Sequence, residues 1–534
     1  MKVTLDGCSL TPDALYALGH EKDSTILLAE EAIRRINAGR AVIDKIVNER
    51  QTVYGINTGF GKFESTVIPP NQLVDLQLNL IRSHSACVGE PLKPQRARMM
   101  MALRINILCK GHSGIRLETV EKYVKAFNAG VVPHIPEQGT VGASGDLGPL
   151  SHLALGMLGE GMLATLKNPV FRDASTVLRE LGVEPITLAA KEGLALINGT
   201  QFMSALGAEA VVRARRIARL ADVSLSMSHE ALQSTVSSLN PDIHRVRPHK
   251  GQQIVAQRLR ALLHSEKYPS MINNSHVNCG RVQDAYSIRC APQVHGIAND
   301  VIEWVYRILT AELNCATDNP LVFPDGVKRV VSGGNFHGEY PAKALDMLAI
   351  GVHEIGNISE RRIERLNNPS LSRLPAFLVN KGGLNSGFMI AHCTAAALVS
   401  ENKVYCHPSS IDSISTSAAQ EDHVSMGGFS ARKALKVVEN IEHIIAIELM
   451  CACQGIDLLR PLKTTEPMEK VWGLVRSVSP SWDKDRVVYR DIEKIAALLR
   501  SGAIWKAVKD YIPEEARFHD VLTVREPFKL KSKL

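Results

Sequence analysis

The stretch from Gly139 to Leu147 reads GTVGASGDL, and five of its first seven residues are Gly, Ala or Ser. Its adjacent small residues Ala143, Ser144 and Gly145 permit a backbone reaction that bulkier side chains would block. The amide nitrogen of Gly145, which has no Cβ to obstruct it, could attack the carbonyl carbon of Ala143 and close a five-membered ring. Loss of water from the ring and from the Ser144 side chain would leave a methylidene group, an electrophile that no standard side chain provides.

Other interpretations of this stretch involve no covalent change. A dinucleotide site would need the spacing G-x-G-x-x-G within a βαβ unit, and a P-loop would need a Lys-Ser or Lys-Thr pair after the glycines. The sequence has neither feature at this place. The plainest interpretation is a tight turn that leads into a helix starting near Pro149, which is what such a stretch most often means when taken alone.

Polar loops of similar character recur along the chain, and functional side chains concentrate in such loops. Each is small-residue-rich and contains side chains able to contact a ligand. The four loops are Tyr54–Gly61, Gly139–Leu147, Ile197–Gln201 and Ser332–Gly338.

The segments between these loops have helical periodicity. Apolar residues recur at helical spacing in Ile26–Val47, Ala97–Cys109, Tyr340–Leu366 and Ala431–Cys453. Strand-like alternation is rare, as in Lys328–Ser332. The pattern therefore predicts a mainly α protein built from long packed helices.

Composition excludes several classes of partner. The 534 residues include 62 basic and 55 acidic side chains, and a net charge of +7 is too small to favour nucleic acid or an anionic membrane. The most basic run, Arg213–Arg219, alternates with Ala and Ile and is predicted to be a solvated helix face. No apolar run reaches membrane-spanning length.

Metal and targeting signals are sparse. The ten cysteines form no C-x-x-C pair and no zinc spacing, and His229-Glu230 lacks the second His of H-E-x-x-H, so no metal site is predicted. Scattered cysteines in a large chain indicate reduced thiols and an intracellular compartment. The final residues, Ser532-Lys533-Leu534, match the peroxisomal address, so we expect a cytoplasmic or peroxisome-like location.

The Gly139–Leu147 stretch, followed by Pro149–Ala154, resembles the signature of the aromatic amino-acid ammonia-lyases. Members of that family form a 4-methylidene-imidazol-5-one group (MIO) autocatalytically from Ala-Ser-Gly and need no external cofactor. Further segments resemble the same family in order along nearly the whole chain: Leu5–Gly7, Tyr54–Gly61, Ile197–Gln201, Arg281–Tyr286, Thr317–Pro320, Gly334–Tyr340 and Gln420–Met426.

The resemblance implies an architecture as well as a chemistry. We expect a long-helix bundle of the ammonia-lyase and fumarase-like type, with small β elements in loops. Residues 1–200 would form an N-terminal domain carrying the Tyr54 and MIO loops, and residues 201–534 a central helix bundle with C-terminal helices, without a clear linker. The family also implies a D2 homotetramer whose active sites are each built by three subunits.

The substrate is indicated by two positions. Ser83-His84 matches the members of the family that act on histidine, whereas those acting on phenylalanine carry an aromatic-Leu pair and those acting on tyrosine often carry His-Leu. Glu421 stands where the phenylalanine lyases have Gln, and a carboxylate can accept an imidazole N–H. The resemblance therefore implies elimination of ammonia from L-histidine to give trans-urocanate. The alternatives are a tyrosine ammonia-lyase, an amino-acid 2,3-aminomutase or, more remotely, a non-enzymatic helical scaffold.

The remaining roles also come from the resemblance. Tyr54 would be the base that removes the β-proton, which requires its phenol pKa to be depressed from about 10. Tyr286 would be a second hydroxyl near the chemistry, and Arg289 would bind the substrate carboxylate. Asn198 and Gln283 would surround the substrate and the MIO. Phe336 would lie near the MIO, although core packing explains it about as well.

The sequence leaves the order of bond formation open. In one mechanism the substrate α-amine adds to the methylidene carbon. In the older alternative the substrate ring adds instead, and no residue type in this chain distinguishes the two.

Overall fold

The computed structural model describes residues 1–280, 282–326 and 329–517, so Arg281, Lys328 and Ser532-Lys533-Leu534 lie outside the described residues. Helices dominate, and no strand of the described part exceeds four residues. The helices are α1 (Pro12–His20), α2 (Glu30–Asn48), α3 (Leu73–His84), α4 (Pro94–Leu108), α5 (Leu117–Asn128), α6 (Leu147–Met157), α7 (Ala174–Glu180), α8 (Glu192–Ile197), α9 (Gln201–Ala231), α10 (Pro241–Arg245), α11 (Lys250–Leu262), α12 (Met271–Asn274), α13 (Tyr286–Arg289), α14 (Ala291–Glu312), α15 (Glu339–Asn367), α16 (Pro369–Ser372), α17 (Met389–Tyr405), α18 (Gly427–Leu458), α19 (Glu466–Val478), α20 (Tyr489–Ser501), α21 (Ala503–Val508) and α22 (Glu514–Arg517). The strands are β1 (Lys2–Leu5), β2 (Thr25–Leu28), β3 (Val88–Pro91), β4 (Val131–Pro133), β5 (Pro136–Gln138), β6 (Met162–Thr165), β7 (Arg172–Asp173), β8 (Leu321–Val322) and β9 (Val330–Val331). The prediction of a mainly α fold with small β elements is confirmed.

The chain forms two compact units that each draw on separate segments. Unit 1 comprises Met1–Val212, Tyr306–Asp346 and Pro408–Leu435. Unit 2 comprises Arg213–Val305, Met347–His407 and Lys436–Leu534. Four of the five boundaries fall inside helices α9, α14, α15 and α18, in keeping with a sequence that shows no linker. The predicted boundary after residue 200 divides the chain into two continuous stretches, whereas each compact unit draws on separate segments. That boundary stays a prediction.

The longest helix, α18, shows why the long helices form. Its stretch Ile444–Ile447 is fully buried, and a helix that is apolar on all sides becomes stable by packing against neighbouring helices. The predicted helices over Ala97–Cys109, Tyr340–Leu366 and Ala431–Cys453 correspond to α4, α15 and α18. None of the helices in the described part of the chain combines the length and apolarity needed to cross a membrane.

Within unit 2, one buried carboxylate ties three helices together. Glu448 of α18 accepts hydrogen bonds from Ser228 of α9 at 2.7 Å and from Ser359 of α15 at 2.6 Å. Arg362 of α15 donates to the same carboxylate through Nε at 2.5 Å and Nη2 at 2.9 Å. Removing one member would leave an uncompensated buried charge, at a cost of about 3–5 kcal/mol.

The prediction that Arg213–Arg219 is a solvated helix face is wrong. Only one of its four arginines is exposed. Arg213 pairs with Glu442 at 2.9 Å, and Arg215 pairs with Glu303 at 2.8 Å, all four side chains being at least 84% buried. Acidic residues on neighbouring helices neutralise these arginines, a long-range pairing that the local Ala and Ile spacing does not reveal.

The predicted helix over Ile26–Val47 begins later than expected. Residues Thr25–Leu28 form β2, which pairs in parallel with β1 from Lys2↔Thr25 to Leu5↔Leu28. Helix α2 starts only at Glu30. Pairing with a distant strand overrides the local helical periodicity of the first residues.

Candidate active site

A cavity of about 1390 Å³ lies within unit 1 and gathers most of the predicted site residues. They come from loops and helix ends that are far apart in the chain. The predicted residues that line it are Tyr54, His84, Ala143, Ser144, Asn198, Phe336 and Glu421. Gly145 follows Ser144 directly, so the reactive tripeptide and the proposed substrate-binding side chains share one cavity.

The Gly139–Leu147 loop is held in a shape that only glycine permits at two positions. Gly142 and Gly145 have φ of +71° and +74°, in the left-handed region. A Cβ on Gly142 would lie 2.1 Å from Ser425 Oγ, and a Cβ on Gly145 would lie 2.2 Å from the carbonyl oxygen of Gly199. The backbone therefore approaches its neighbours more closely than any other residue type would allow.

The surroundings of Ser144 fit a ring formed from Ala143, Ser144 and Gly145. Among the described residues, none accepts the N–H of Gly145, which is the nitrogen that would close the ring. Asn198 Nδ2 donates to the carbonyl oxygen of Ser144 at 3.3 Å, and this oxygen would be the carbonyl of such a ring. The buried Oδ1 of Asn198 has no hydrogen-bond partner within the described part of the chain. This orphaned acceptor is a polar atom still free for a ligand.

Hydrogen bonds of Asp146 hold the Gly139–Leu147 loop in place. Its carboxylate accepts the Thr140 hydroxyl at 3.1 Å and the Met203 N–H at 3.0 Å, and its own N–H donates to the Gly199 carbonyl at 2.7 Å. Full burial raises the pKa of Asp146 from 3.8 to about 7. The loop is thus fixed by a carboxyl group that titrates near neutral pH.

We expect Asp146 to make the folding stability depend on pH. Between pH 3.8 and about 7 the folded chain holds a proton that the unfolded chain has released, so this group lowers the free energy of unfolding as the pH rises. The full loss is about 4 kcal/mol above pH 7. The Asp146→Asn variant lacks this term, so urea denaturation should show the wild type losing stability relative to the variant over that window. Parallel pH profiles for the two proteins would contradict the assignment.

Glu421 contacts the reactive loop directly. Its Oε1 accepts the Ser144 hydroxyl at 2.9 Å, and its Oε2 accepts the hydroxyls of Thr416 at 2.9 Å and Ser417 at 2.6 Å. Three successive non-glycine residues, Ser417–Ala419, have φ between 54° and 65°. Such strain costs about 1–3 kcal/mol for each residue and persists only where the surrounding structure holds it. The strained turn places the Glu421 carboxylate beside Ser144.

His84 is the last residue of α3, and its hydrogen bonds fix its tautomer. Nδ1 lies 2.8 Å from the carbonyl oxygen of Leu80, which can only accept, so Nδ1 carries the hydrogen. Burial lowers the pKa of His84 below its ordinary value, which favours the neutral ring. Nε2 is then an acceptor available to a substrate N–H.

Tyr54 is positioned by the core of unit 1. Ile56, two residues later, is fully buried in a cluster with Val42, Ile43 and Ile46 of α2. Burial, with a smaller contribution from the Glu64 and Glu421 carboxylates, raises the pKa of Tyr54 above its ordinary value. The expected depression of this pKa is therefore not produced by unit 1. A cationic or dipolar group from outside it would be required.

Besides Gly145, three predicted residues do not line this cavity. Gln283, Tyr286 and Arg289 belong to unit 2. Tyr286 and Arg289 share one face of α13, with the guanidinium carbon 4.7 Å from the centre of the Tyr286 ring. Tyr286 is 70% exposed, and the buried Nε of Arg289 has no partner within the described residues. Both side chains are thus open to further contacts.

Several residues around Ser144 were missed by sequence reasoning. Thr416 and Ser417 hold Glu421, Asp146 holds the loop, and His337 and His423 line the cavity wall. Asp146 and His423 stand inside the quoted motifs, which is a signal that sequence reasoning could have used. Thr416 and Ser417 lie just before the Gln420–Met426 motif and carry no signal of their own.

The chain is similar to known proteins over most of its length. The family model for aromatic amino acid lyases matches residues 10–477. Histidine ammonia-lyase of Bos taurus is 59% identical over 519 residues, covering 97% of this chain and 78% of that protein. The crystal structure of histidine ammonia-lyase from Trypanosoma cruzi is 80% identical with a TM-score of 0.94, covering 100% of both chains. Tyrosine aminomutase from Streptomyces globisporus is 35% identical with a TM-score of 0.89, covering 96% of this chain and 99% of that one.

The matched region contains the whole cavity, from Tyr54 to His423. Three observations lead to one assignment: the helical architecture, the loop whose shape depends on its glycines, and the similarity to known lyases along most of the chain. The chain belongs to the aromatic amino acid lyase family and is an ammonia-lyase that cleaves a carbon–nitrogen bond.

Proposed function

We propose that this chain is a histidine ammonia-lyase, which eliminates ammonia from L-histidine without oxidation to give trans-urocanate, the first step in breaking down histidine. The observation that carries the proposal is the presence of His84 and Glu421 in one cavity with Ser144. The two relatives named for this activity, at 59% and 80% identity, support it over the aminomutase at 35%. Incubation with L-histidine, L-tyrosine and L-phenylalanine, followed by product analysis, tests it directly. Urocanate should dominate, and a β-amino acid or coumarate as the main product would overturn the proposal.

The electrophile in this proposal is an MIO group derived from Ala143, Ser144 and Gly145. Once formed, it would supply an electrophilic methylidene carbon, which in the amine-addition mechanism would make the substrate amine a better leaving group. Asn198 donates to the Ser144 carbonyl oxygen, which would be the ring carbonyl, and this hydrogen bond would draw electron density away from the ring. Glu421 accepts a hydrogen bond from the Ser144 hydroxyl at 2.9 Å, and this contact would orient the hydroxyl for its loss as water together with the Ser144 Cα hydrogen.

The substrate imidazole is recognised by complementary hydrogen bonds. Neutral His84 offers Nε2 as an acceptor, and Glu421 offers carboxylate oxygens, so an imidazole N–H can be bound from either side. Phe336 adds an apolar wall to the same cavity. A pocket built to pair a polar ring rejects rings that leave these groups unpaired.

His84→Leu should lower kcat/KM for L-histidine by about 10- to 100-fold, because the variant loses one hydrogen bond to the substrate and leaves its N–H unpaired. Steady-state kinetics with L-histidine measure this loss. L-Phenylalanine serves as the control substrate, because its ring makes no such bond and should not react more slowly in the variant. An equal fall with both substrates would show that His84 acts on the fold and not on the ring.

The β-proton would be removed by Tyr54 as its phenolate. Since the contacts within unit 1 raise the Tyr54 pKa, the proposal needs a cation beside it, and Arg289 of a second subunit is our candidate. Gln283 and Tyr286 of that subunit would enter the site with it. The unpartnered Nε of Arg289 and the exposed Tyr286 ring support a D2 homotetramer with shared sites.

Mixing two inactive variants tests this sharing. If Tyr54 and Arg289 come from different subunits, Tyr54→Phe and Arg289→Leu chains that exchange subunits should regain activity at about a quarter of the sites. Mixtures kept from exchanging subunits are the control. Absence of recovery in exchanged tetramers, verified by native mass spectrometry, would place both residues in the same subunit's site.

A further inference from the structure

Three side chains of the kinds that bind metal ions lie together at the same cavity, and two of them, His337 and His423, line its wall. His337, Glu339 and His423 each offer a ligand atom, and these atoms lie within 4.8 Å of one another. The sequence analysis predicts no metal site, and His337 and His423 are 86 residues apart in the chain. Only folding brings the three donors together.

The hydrogen bonds of His337 prepare its ring for a cation. Nε2 lies 3.1 Å from the backbone carbonyl oxygen of His423, which can only accept, so Nε2 carries the hydrogen. His337 Nδ1 then carries a lone pair and lies 4.0 Å from Glu339 Oε2. Both atoms are acceptors, so a cation between them could bind to both. A ring N–H donated to a backbone carbonyl is also the usual way in which a metal-binding histidine is oriented.

His423, the third ligand, lies close enough to His337 to complete the site. The rings of His337 and His423 are stacked, with an interplanar angle of 7° and centroids 5.8 Å apart. Ligand atoms around a tetrahedral zinc ion are about 3.3 Å apart, given bond lengths of about 2.0–2.1 Å. His423 is exposed and Glu339 is half-buried, so small side-chain rotations can close the remaining gap.

We propose that His337 Nδ1, the Glu339 carboxylate and the His423 imidazole bind a divalent transition-metal ion of the zinc class. Two imidazoles and one carboxylate suit this class of ion better than Mg²⁺ or Ca²⁺, which prefer oxygen ligands. The site needs neither the MIO group nor L-histidine, and so does not depend on the proposed function.

Lys343 competes with the metal for the same carboxylate. Its Nζ lies 3.0 Å from Glu339 Oε1, one helical turn along α15. A bound divalent cation must share or displace this contact, at a cost in affinity. Removing the Lys343 ammonium should therefore strengthen metal binding. If Glu339 had only a structural role, no such increase in affinity would be expected.

Titration of the full-length chain with Co²⁺, followed by visible ligand-field absorption, tests the site. Co²⁺ bound to nitrogen and oxygen lacks the thiolate charge-transfer bands that binding to the ten cysteines would produce. We expect one such site per wild-type chain, binding weakened by at least about 10-fold in His423→Asn and Glu339→Gln, and tighter binding in Lys343→Met. His249→Asn, which changes an exposed histidine elsewhere, is the matched control and should bind like wild type. Equal binding by wild type and His423→Asn, no saturable binding at all, or no tightening in Lys343→Met would overturn the proposal.

Discussion

Ser144→Ala should lose at least about 10³-fold in kcat for L-histidine, equivalent to about 4 kcal/mol of transition-state stabilisation. Alanine has no hydroxyl to leave as water, so the methylidene carbon cannot form, and no other side chain in the cavity provides an electrophile of this kind. The substitution removes the hydrogen bond to Glu421 and little else from the packing, because the side chain keeps its Cβ. Steady-state kinetics of the purified variant measure the effect.

The loss must be separated from a loss of folding. Ser175→Ala, the same chemical change at a half-buried residue of unit 1 whose hydroxyl also donates to a carboxylate, is the matched control and should keep wild-type turnover. Far-ultraviolet circular dichroism and the thermal midpoint of Ser144→Ala should stay close to those of wild type. A folded Ser144→Ala protein with wild-type turnover would show that the reaction needs no electrophile derived from Ser144.

Tyr54→Phe should lower kcat by about 10²- to 10⁴-fold, the usual contribution of a positioned general base. Phenylalanine keeps the aromatic ring, and the neighbouring Ile56 stays buried in its cluster, so the loop and the cavity should remain as they are. The variant should still form the dehydrated tripeptide, because the Tyr54 hydroxyl is not part of that chemistry. Kinetics combined with intact mass therefore distinguish Tyr54→Phe from Ser144→Ala.

Tyr489→Phe removes a phenol hydroxyl from an exposed position in unit 2 and is the matched control. It should be as active as wild type. If Tyr54→Phe kept more than about a tenth of wild-type kcat, another group would have to remove the β-proton. Tyr286 would then be the next candidate to test.

The helices were predictable because their pattern is local. Ile444 and Ile445 lie on a helix whose apolar residues recur at 3.6-residue spacing, and burial on all sides stabilises what that spacing predicts. The start of α2 was not predictable, because Thr25–Leu28 pairs with residues that precede it by more than twenty positions. The burial of Arg213 was not predictable for the same reason, because its partner Glu442 is 229 residues away in the chain.

The chemistry of the site was predictable only in part. Ala143-Ser144-Gly145 carries its reactivity in three adjacent residues, so the sequence alone indicates it. The contact of Ser144 with Glu421 spans 277 positions, and the sequence contains no physical signal that joins them. The pKa of Tyr54 was expected to fall, yet burial and nearby carboxylates raise it, because its electrostatic surroundings come from distant segments.

The central claim is that Ala143, Ser144 and Gly145 close into a dehydrated ring, and peptide mass spectrometry of active protein tests it most directly. We predict that the proteolytic peptide spanning these residues is lighter than its sequence mass by two water molecules, and that the same peptide from Ser144→Ala lacks the electrophilic methylidene group. Recovery of the unmodified peptide as the main species from protein that turns over L-histidine would contradict the account.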